Sequence, residues 1–242
     1  MIYLLGVGKR GTKPQCKVKI KWSPKFAYAI GLLATDGCLY NNGRHMSLTT
    51  KDLEQALNFK RCLGLDVKIG LKGSGKSTEK KYYHVQFGDT IFYKYLESIG
   101  LSPAKSKIIG AIDIPDKYFF DFLRGSFDGD GTFYSYWDPR WRSSHMFYLE
   151  FVSASKNHIF WLRKLLNEKT GVIGHINMNG QGSTLQLKYA KKEALEIIKK
   201  MYYNPKVVCL TRKRSKVKKA LIMESRQQKK YARVEELVDS QP

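Results

Sequence analysis

Three observations predict an α+β protein of two pseudo-symmetric αββαββα halves with antiparallel sheets, the opening helix of one half packed on that of the other. A nine-residue segment occurs twice, alternating stretches come in pairs, and a helical stretch separates each pair from the next. The repeated segments are AIGLLATDG (Ala29 to Gly37) and LRGSFDGDG (Leu123 to Gly131), which align at an offset of 94 residues. Gly31 then matches Gly125, Asp36 matches Asp130, and Gly37 matches Gly131.

The elements follow in order. Ser23-Pro24 supplies a cap and a proline at the first helical position, and Pro115-Asp116 opens the second such helix. Gly37 and Gly131 read as the glycines that end them. After the first helix come CLYNNGR and HMSLTTK, the helix DLEQALNFKRCLG, then DVKIGLK and YYHVQFG, and the helix TIFYKYLESIG. After the second come TFYSYW and MFYLEFVSAS, the helix KNHIFWLRKLLNEKTG, then VIGHINMN and STLQLKYA around Gly180-Gln181-Gly182, and the helix KKEALEIIKKMYY. The divisions are an N-terminal extension 1–22, halves at 23–112 and 113–222, and a C-terminal tail 223–242. The stretch from Arg214 to Asp239 reads as amphipathic helix.

Composition narrows the partner. Of 242 residues, 43 are Lys or Arg and 21 Asp or Glu, a formal charge of +22, while 43% hydrophobic and 13% aromatic content exclude general disorder. A folded body this basic takes a polyanion, nucleic acid first and an anionic membrane second. The best apolar run, Phe26 to Ala34, is half the roughly 20 residues a membrane span needs. Cys16, Cys38, Cys62 and Cys209 have no short pairing, which points to a reduced intracellular compartment and away from a zinc module. His45, His84, His145, His158 and His175 show no metal-ligand spacing.

The repeated segments carry the chemistry. A glycine inside a helix costs about 0.5–1 kcal/mol relative to alanine, so Gly31 and Gly125 need a reason. Small residues recur at helical spacing, Ala27, Gly31 and Thr35 in one segment and Gly125 and Gly129 in the other. Such stripes let two helices pack closer than the usual 8–10 Å, which would place Asp36 beside Asp130. An acid at a helix C-terminus opposes the dipole, and two carboxylates together repel. A hard divalent cation between them resolves both, and in a basic protein that points to phosphodiester hydrolysis. One Asp-Gly pair would be an ordinary turn; two, each closing the first helix of a repeat, favour the metal reading.

These two segments resemble those of the LAGLIDADG homing endonucleases, in the single-chain form with two motifs. The first departs from the pattern at Ala34, where the family often has an acid. The resemblance implies a monomer whose curved sheets form a saddle over the DNA major groove and which cuts both strands of a long, asymmetric site. It assigns metal binding and catalysis to Asp36 and Asp130. The implied cofactor is Mg2+, with Mn2+ or Ca2+ able to replace it in the site and Ca2+ not supporting cleavage. The family has a basic residue after the last helix of each half. SPAKSK (Ser102 to Lys107) and LTRKR (Leu210 to Arg214) stand there, and Lys107 and Lys213 are the matches, with Lys105 and Arg212 as neighbours. Members are usually intron- or intein-encoded, in organelles or prokaryotes. A group I intron maturase, bound to intron RNA, and a non-catalytic DNA-binding protein are the alternatives.

Strand alternation selects the DNA-facing residues. In DVKIGLK, Val67, Ile69 and Leu71 are expected inward, Lys68 and Lys72 outward. In YYHVQFG, His84 and Gln86 face out; in STLQLKYA, Thr184, Gln186 and Lys188; in VIGHINMN, His175, Asn177 and Asn179. Counting by twos from the motif aspartates adds Tyr40, Asn42 and Arg44, then Thr132, Tyr134, Tyr136 and Arg140. These types suit base edges and phosphates. The loop Gly73-Ser74-Gly75-Lys76 reads as a phosphate-contacting tip. Lys9, Arg10, Lys13, Lys17, Lys19 and Lys21 form a basic N-terminal arm.

Overall fold

The computed structural model describes residues 16–73, 79–141, 144–178 and 184–239. The first half runs α1 (Pro24–Thr35), β1 (Gly37–Leu39), β2 (His45–Thr50), α2 (Leu53–Leu63), β3 (Ile69–Gly73), β4 (Lys80–Gly88) and α3 (Thr90–Ser98). The second runs α4 (Phe119–Gly129), β5 (Thr132–Trp137), β6 (His145–Ser153), α5 (Lys156–Thr170), β7 (His175–Met178), β8 (Leu185–Ala190) and α6 (Lys191–Met201). A single helix, α7 (Thr211–Asp239), follows and crosses the division drawn at 222. The αββαββα order is thus present twice.

Each half holds one four-stranded antiparallel sheet, ordered β1-β2-β4-β3 and β5-β6-β8-β7. One face of each sheet supplies the core, since strand side chains alternate. Met46, Leu48, Val85 and Phe87 are buried with α1 and Phe59 of α2. Phe133, Phe147, Leu149, Leu187 and Tyr189 are buried with Leu123 and Phe127 of α4 and with Val217 and Ala220 of α7. The other face of each sheet is polar and partly exposed.

Local signals set the boundaries. The Ser23 hydroxyl accepts the Phe26 N–H at 3.1 Å, capping α1. Asp89 caps α3 through the Phe92 N–H at 2.9 Å, and its other oxygen accepts the Lys17 and Val18 N–H groups at 2.6 and 3.0 Å. The part of the N-terminal arm that is described is therefore docked, with Val18 buried. Gly64 and Gly171, at φ of 65° and 73°, end α2 and α5 in the left-handed conformation.

Four expectations are corrected. Gly37 and Gly131 are not left-handed caps: Asp36 and Asp130 are the capping residues, both in the right-handed region. The two glycines are needed for space, because a Cβ would lie 2.6 Å from Leu33 Cα or 2.7 Å from Phe127 Cα. α4 begins at Phe119, after a 3-10 turn at Asp116–Tyr118. Leu71 is 54% exposed, because edge strand β3 runs out past the core. Asn42, Arg44 and Arg140 lie in turns rather than strands.

Candidate active site and nucleic-acid interface

α1 and α4 pack along their small residues. A Cβ on Gly31 would lie 2.7 Å from the Ser126 nitrogen, and one on Gly125 2.9 Å from the Tyr28 carbonyl carbon. One turn on, a Cβ on Gly129 would collide with Thr35 and come within 3.3 Å of Asp36 Oδ2. This contact carries the C-terminal end of α1 to that of α4 and brings Asp36 to the residue that precedes Asp130.

The electrostatics follow from that placement. Burial and then the Asp130 charge push Asp36 up to about 6, despite a hydrogen bond from Gln55 Nε2 to Asp36 Oδ2 at 2.5 Å. Asp130 is exposed, yet enough protein surrounds its carboxyl to raise its pKa also. Gln55 is buried on α2, and the Thr50 hydroxyl bonds its Oε1 at 2.8 Å, fixing which end of the amide faces Asp36.

Two buried lysines close the helix ends. Lys213 Nζ donates to the carbonyls of Phe127, Gly129 and Gly131 at 2.5, 3.1 and 2.7 Å. Lys105 Nζ donates to the carbonyl of Gly37, the residue that matches Gly131. Lys213 thus meets three carbonyls at and just past the end of α4, and Lys105 one just past the end of α1, where positive charge is favoured. Burial lowers both, Lys213 to about 8, against the pull of Asp36 and Asp130. Lys107, by contrast, is exposed, and Arg212 grips Asp52 through bonds of 2.6–3.1 Å. The structure places Lys105, not Lys107, opposite Lys213.

A recess of roughly 340 Å³ opens beside Asp130, between Thr35, Lys105, Ser153 and Thr184. Asp128, which matches Ala34, does not face it. It is fully buried, bound by the Tyr28 hydroxyl at 2.8 Å and the Leu210 N–H at 2.7 Å, and pushed up to about 6 by burial. That acid ties α4 to α1 and to the chain entering α7. Among the described residues no group of three or more His, Cys, Asp or Glu gathers. A bound cation would therefore rest on Asp36 and Asp130, with water and substrate oxygens completing its shell, which is how Mg2+ is commonly held.

Register puts most of the expected DNA-facing residues on the uncovered sheet faces. In the first sheet Ser47 pairs with Gln86, Thr49 with His84 and Lys72 with Tyr82, and exposed Lys68 precedes β3. In the second, Thr132 pairs with Glu150, Glu150 with Lys188 and Lys188 with His175, while Tyr134 pairs with Tyr148, Tyr136 with Met146 and Gln186 with Asn177. Thr184 continues the Gln186 face. Several of these groups are already engaged. His84 bonds Thr49 and Gln86 at 2.9 and 3.2 Å, and Tyr40 meets Ser47 at 3.3 Å. The Asn42 side-chain oxygen, Oδ1, caps the turn by accepting the Arg44 and His45 N–H groups. Arg140 is paired with Asp138 at 2.9 Å. Asn179, and residues 74–76 of the Gly73 loop, lie outside the described residues.

Sequence reasoning passed over Gln55, Tyr148 and Glu150. Gln55 had a signal: it stands four residues before Phe59 and eight before Leu63, a polar residue on the buried stripe of α2. The outward residues of β6 were hidden because that strand is apolar almost throughout.

No protein-family model matches this sequence, and no curated protein matches it. Solved structures do. The LAGLIDADG homing endonuclease I-LtrWI, bound to target DNA, superposes at a TM-score of 0.55 with 11% identity, covering 85% of this chain and 91% of that one. The meganuclease I-SmaMI, bound to uncleavable DNA, gives 0.57 with 15% identity over 85% and 91% of the two chains. Full-length DUF199/WhiA from Thermatoga maritima gives 0.51 with 16% identity over 76% of this chain, which spans 58% of that protein. The chain has the two-motif LAGLIDADG fold.

Proposed function

We propose that this chain is a divalent-metal-dependent endonuclease that cuts both strands of DNA at a long, asymmetric site, acting as a monomer. The observation that carries the reading is the meeting of Asp36 and Asp130 at paired helix ends, each end closed by a buried lysine. An electrostatically costly pair is retained where a cation uses it. Bound there, Mg2+ would activate a water and stabilise the leaving oxygen.

The protein's own groups do the rest. Gln55 orients the Asp36 carboxylate. Lys105 and Lys213 keep positive charge beside the place where phosphate charge grows. The recess between Asp130, Lys105 and Thr184 admits a phosphate of the backbone. The two uncovered sheet faces differ in nearly every outward residue, so their preferred half-sites differ. I-SmaMI, of the same fold, has been solved on an uncleaved target with calcium ions. That supports a place for Ca2+ here without turnover.

The test is cleavage by Asp36→Asn and Asp130→Asn of a site selected from a randomised duplex library, with Mg2+ and with Ca2+. Loss of cutting with retained binding supports the reading; full cutting by both variants removes it. Group I intron maturase activity is assayed beside it by splicing of a precursor RNA. Binding should fall steeply as salt rises, given the charge of +22.

A further inference from the structure

The two uncovered sheet faces are not chemically alike. The second half sets three tyrosines together: Tyr134 and Tyr136, two apart on β5, and Tyr148, which pairs with Tyr134 across β6. Their ring centroids lie 5.4, 6.2 and 6.5 Å apart and their planes within 25° of parallel. The corresponding places of the first half hold Tyr40, Asn42 and His45, with no such array.

The array is held in position by neighbours on the same face of the sheet. Lys188 Nζ lies 4.3 Å from the Tyr148 ring centre and 5.1 Å from that of Tyr134, and donates to the Tyr134 hydroxyl. Glu150, almost fully buried, accepts from the Tyr134 hydroxyl at 3.1 Å and pairs with Lys188 at 3.2 Å. Tyr136 is the open member, 42% exposed. Beyond it the turn at Asp138 presents exposed Arg140 and Trp141 on a hydrogen-bonded loop.

Ring faces reward a particular partner. A duplex shows a groove-bound sheet only base edges, its base faces being hidden in the stack. Parallel aromatic rings gain from bases that are unstacked, and they do so without regard to sequence. We propose that the outward face of the second sheet is a stacking platform for single-stranded nucleic acid, which takes an unpaired base on Tyr136 and continues the array of Tyr134 and Tyr148. This is a binding activity separate from duplex cleavage, needing neither metal nor the motif aspartates.

The measurement is fluorescence anisotropy in EDTA with a short labelled oligouridylate, the oligothymidylate of equal length, and an abasic oligonucleotide of the same backbone. Both base-bearing strands should bind more tightly than the abasic one, and the tighter of the two identifies RNA or DNA as the natural source. Tyr136→Leu, at an exposed position, should weaken binding between about fivefold and a hundredfold, and Tyr136→Phe should bind as the unaltered protein does. Equal affinity for the abasic strand, or unchanged binding by Tyr136→Leu in protein with a native circular dichroism spectrum, overturns the proposal. So does a loss by Tyr136→Phe, which would assign the tyrosines to base edges through their hydroxyls.

Discussion

The α-carbons of Gly31 and Gly125 face each other across the seam of α1 and α4 with no room for a side chain on either. An added Cβ would sit 2.9 Å from the opposing Cα in one direction and 3.1 Å in the other. Gly31→Ala or Gly125→Ala should therefore destabilise the protein by about 1–3 kcal/mol or more through overpacking. Because this seam places Asp36 against Asp130, cleavage should fall further than the folded fraction does. Thermal unfolding and cleavage by the same preparation check both parts.

The lysines can be told apart. Lys105→Met and Lys213→Met should each lower the cleavage rate about a hundredfold or more, the usual order for losing a preorganised electrostatic group. Affinity for the duplex at fixed salt should change little. Lys107→Met, on an exposed side chain, should cut at the ordinary rate. Single-turnover cleavage beside equilibrium binding separates these outcomes.

The motif pair should cost stability when no metal is present. Asp36→Asn keeps an acceptor for Gln55 and removes a charge that burial first, and Asp130 second, disfavour enough to lift the Asp36 pKa to about 6. In EDTA at neutral pH this variant should be more stable than the unaltered protein, by about 1–3 kcal/mol, while losing cleavage. Denaturant unfolding in EDTA tests it; an unchanged or lowered midpoint contradicts the crowding described above.

The pH dependence has a definite sign. Asp36 and Asp128 have folded pKa values near 6 against an ordinary 3.8, so the folded protein holds their protons more firmly. Their contribution is full below about 3.8 and is lost as pH rises to about 6. Lys213 falls from 10.5 to about 8, so the unfolded chain binds the extra proton and stability recovers between those values. Metal-free unfolding followed across this range should show the loss, then the recovery, and Asp36→Asn should flatten the first part.

Much of this was legible because the duplication is written in short-range signals. Glycine spacing, Ser23-Pro24 and the period-two stretches act within a few residues, and they located both sheets and the seam. What escaped depends on distances the sequence does not carry. Lys105 and Lys107 sit two apart in one basic segment, and only the path of the chain after α3 decides which reaches Gly37. Asn42 and Arg44 share a strand-like parity, but the Asn42 side chain hydrogen-bonds its own backbone and closes a turn. Tyr148 lies on a strand whose apolar neighbours mask it, whereas the partner that buried Gln55 meets, Asp36, is set by how α2 packs on the end of α1.

The segments that leave each half pack on the other. The Ser155 hydroxyl and His158 bond the carbonyls of Ile109 and Gly110, whereas Asn58 bonds the Cys209 carbonyl and Glu54 binds Thr211. The peptide between the halves is therefore not what keeps them together. A chain nicked in the connecting stretch would persist as an obligate heterodimer, each piece keeping its own motif aspartate and lysine and covering the helix face that the other would expose.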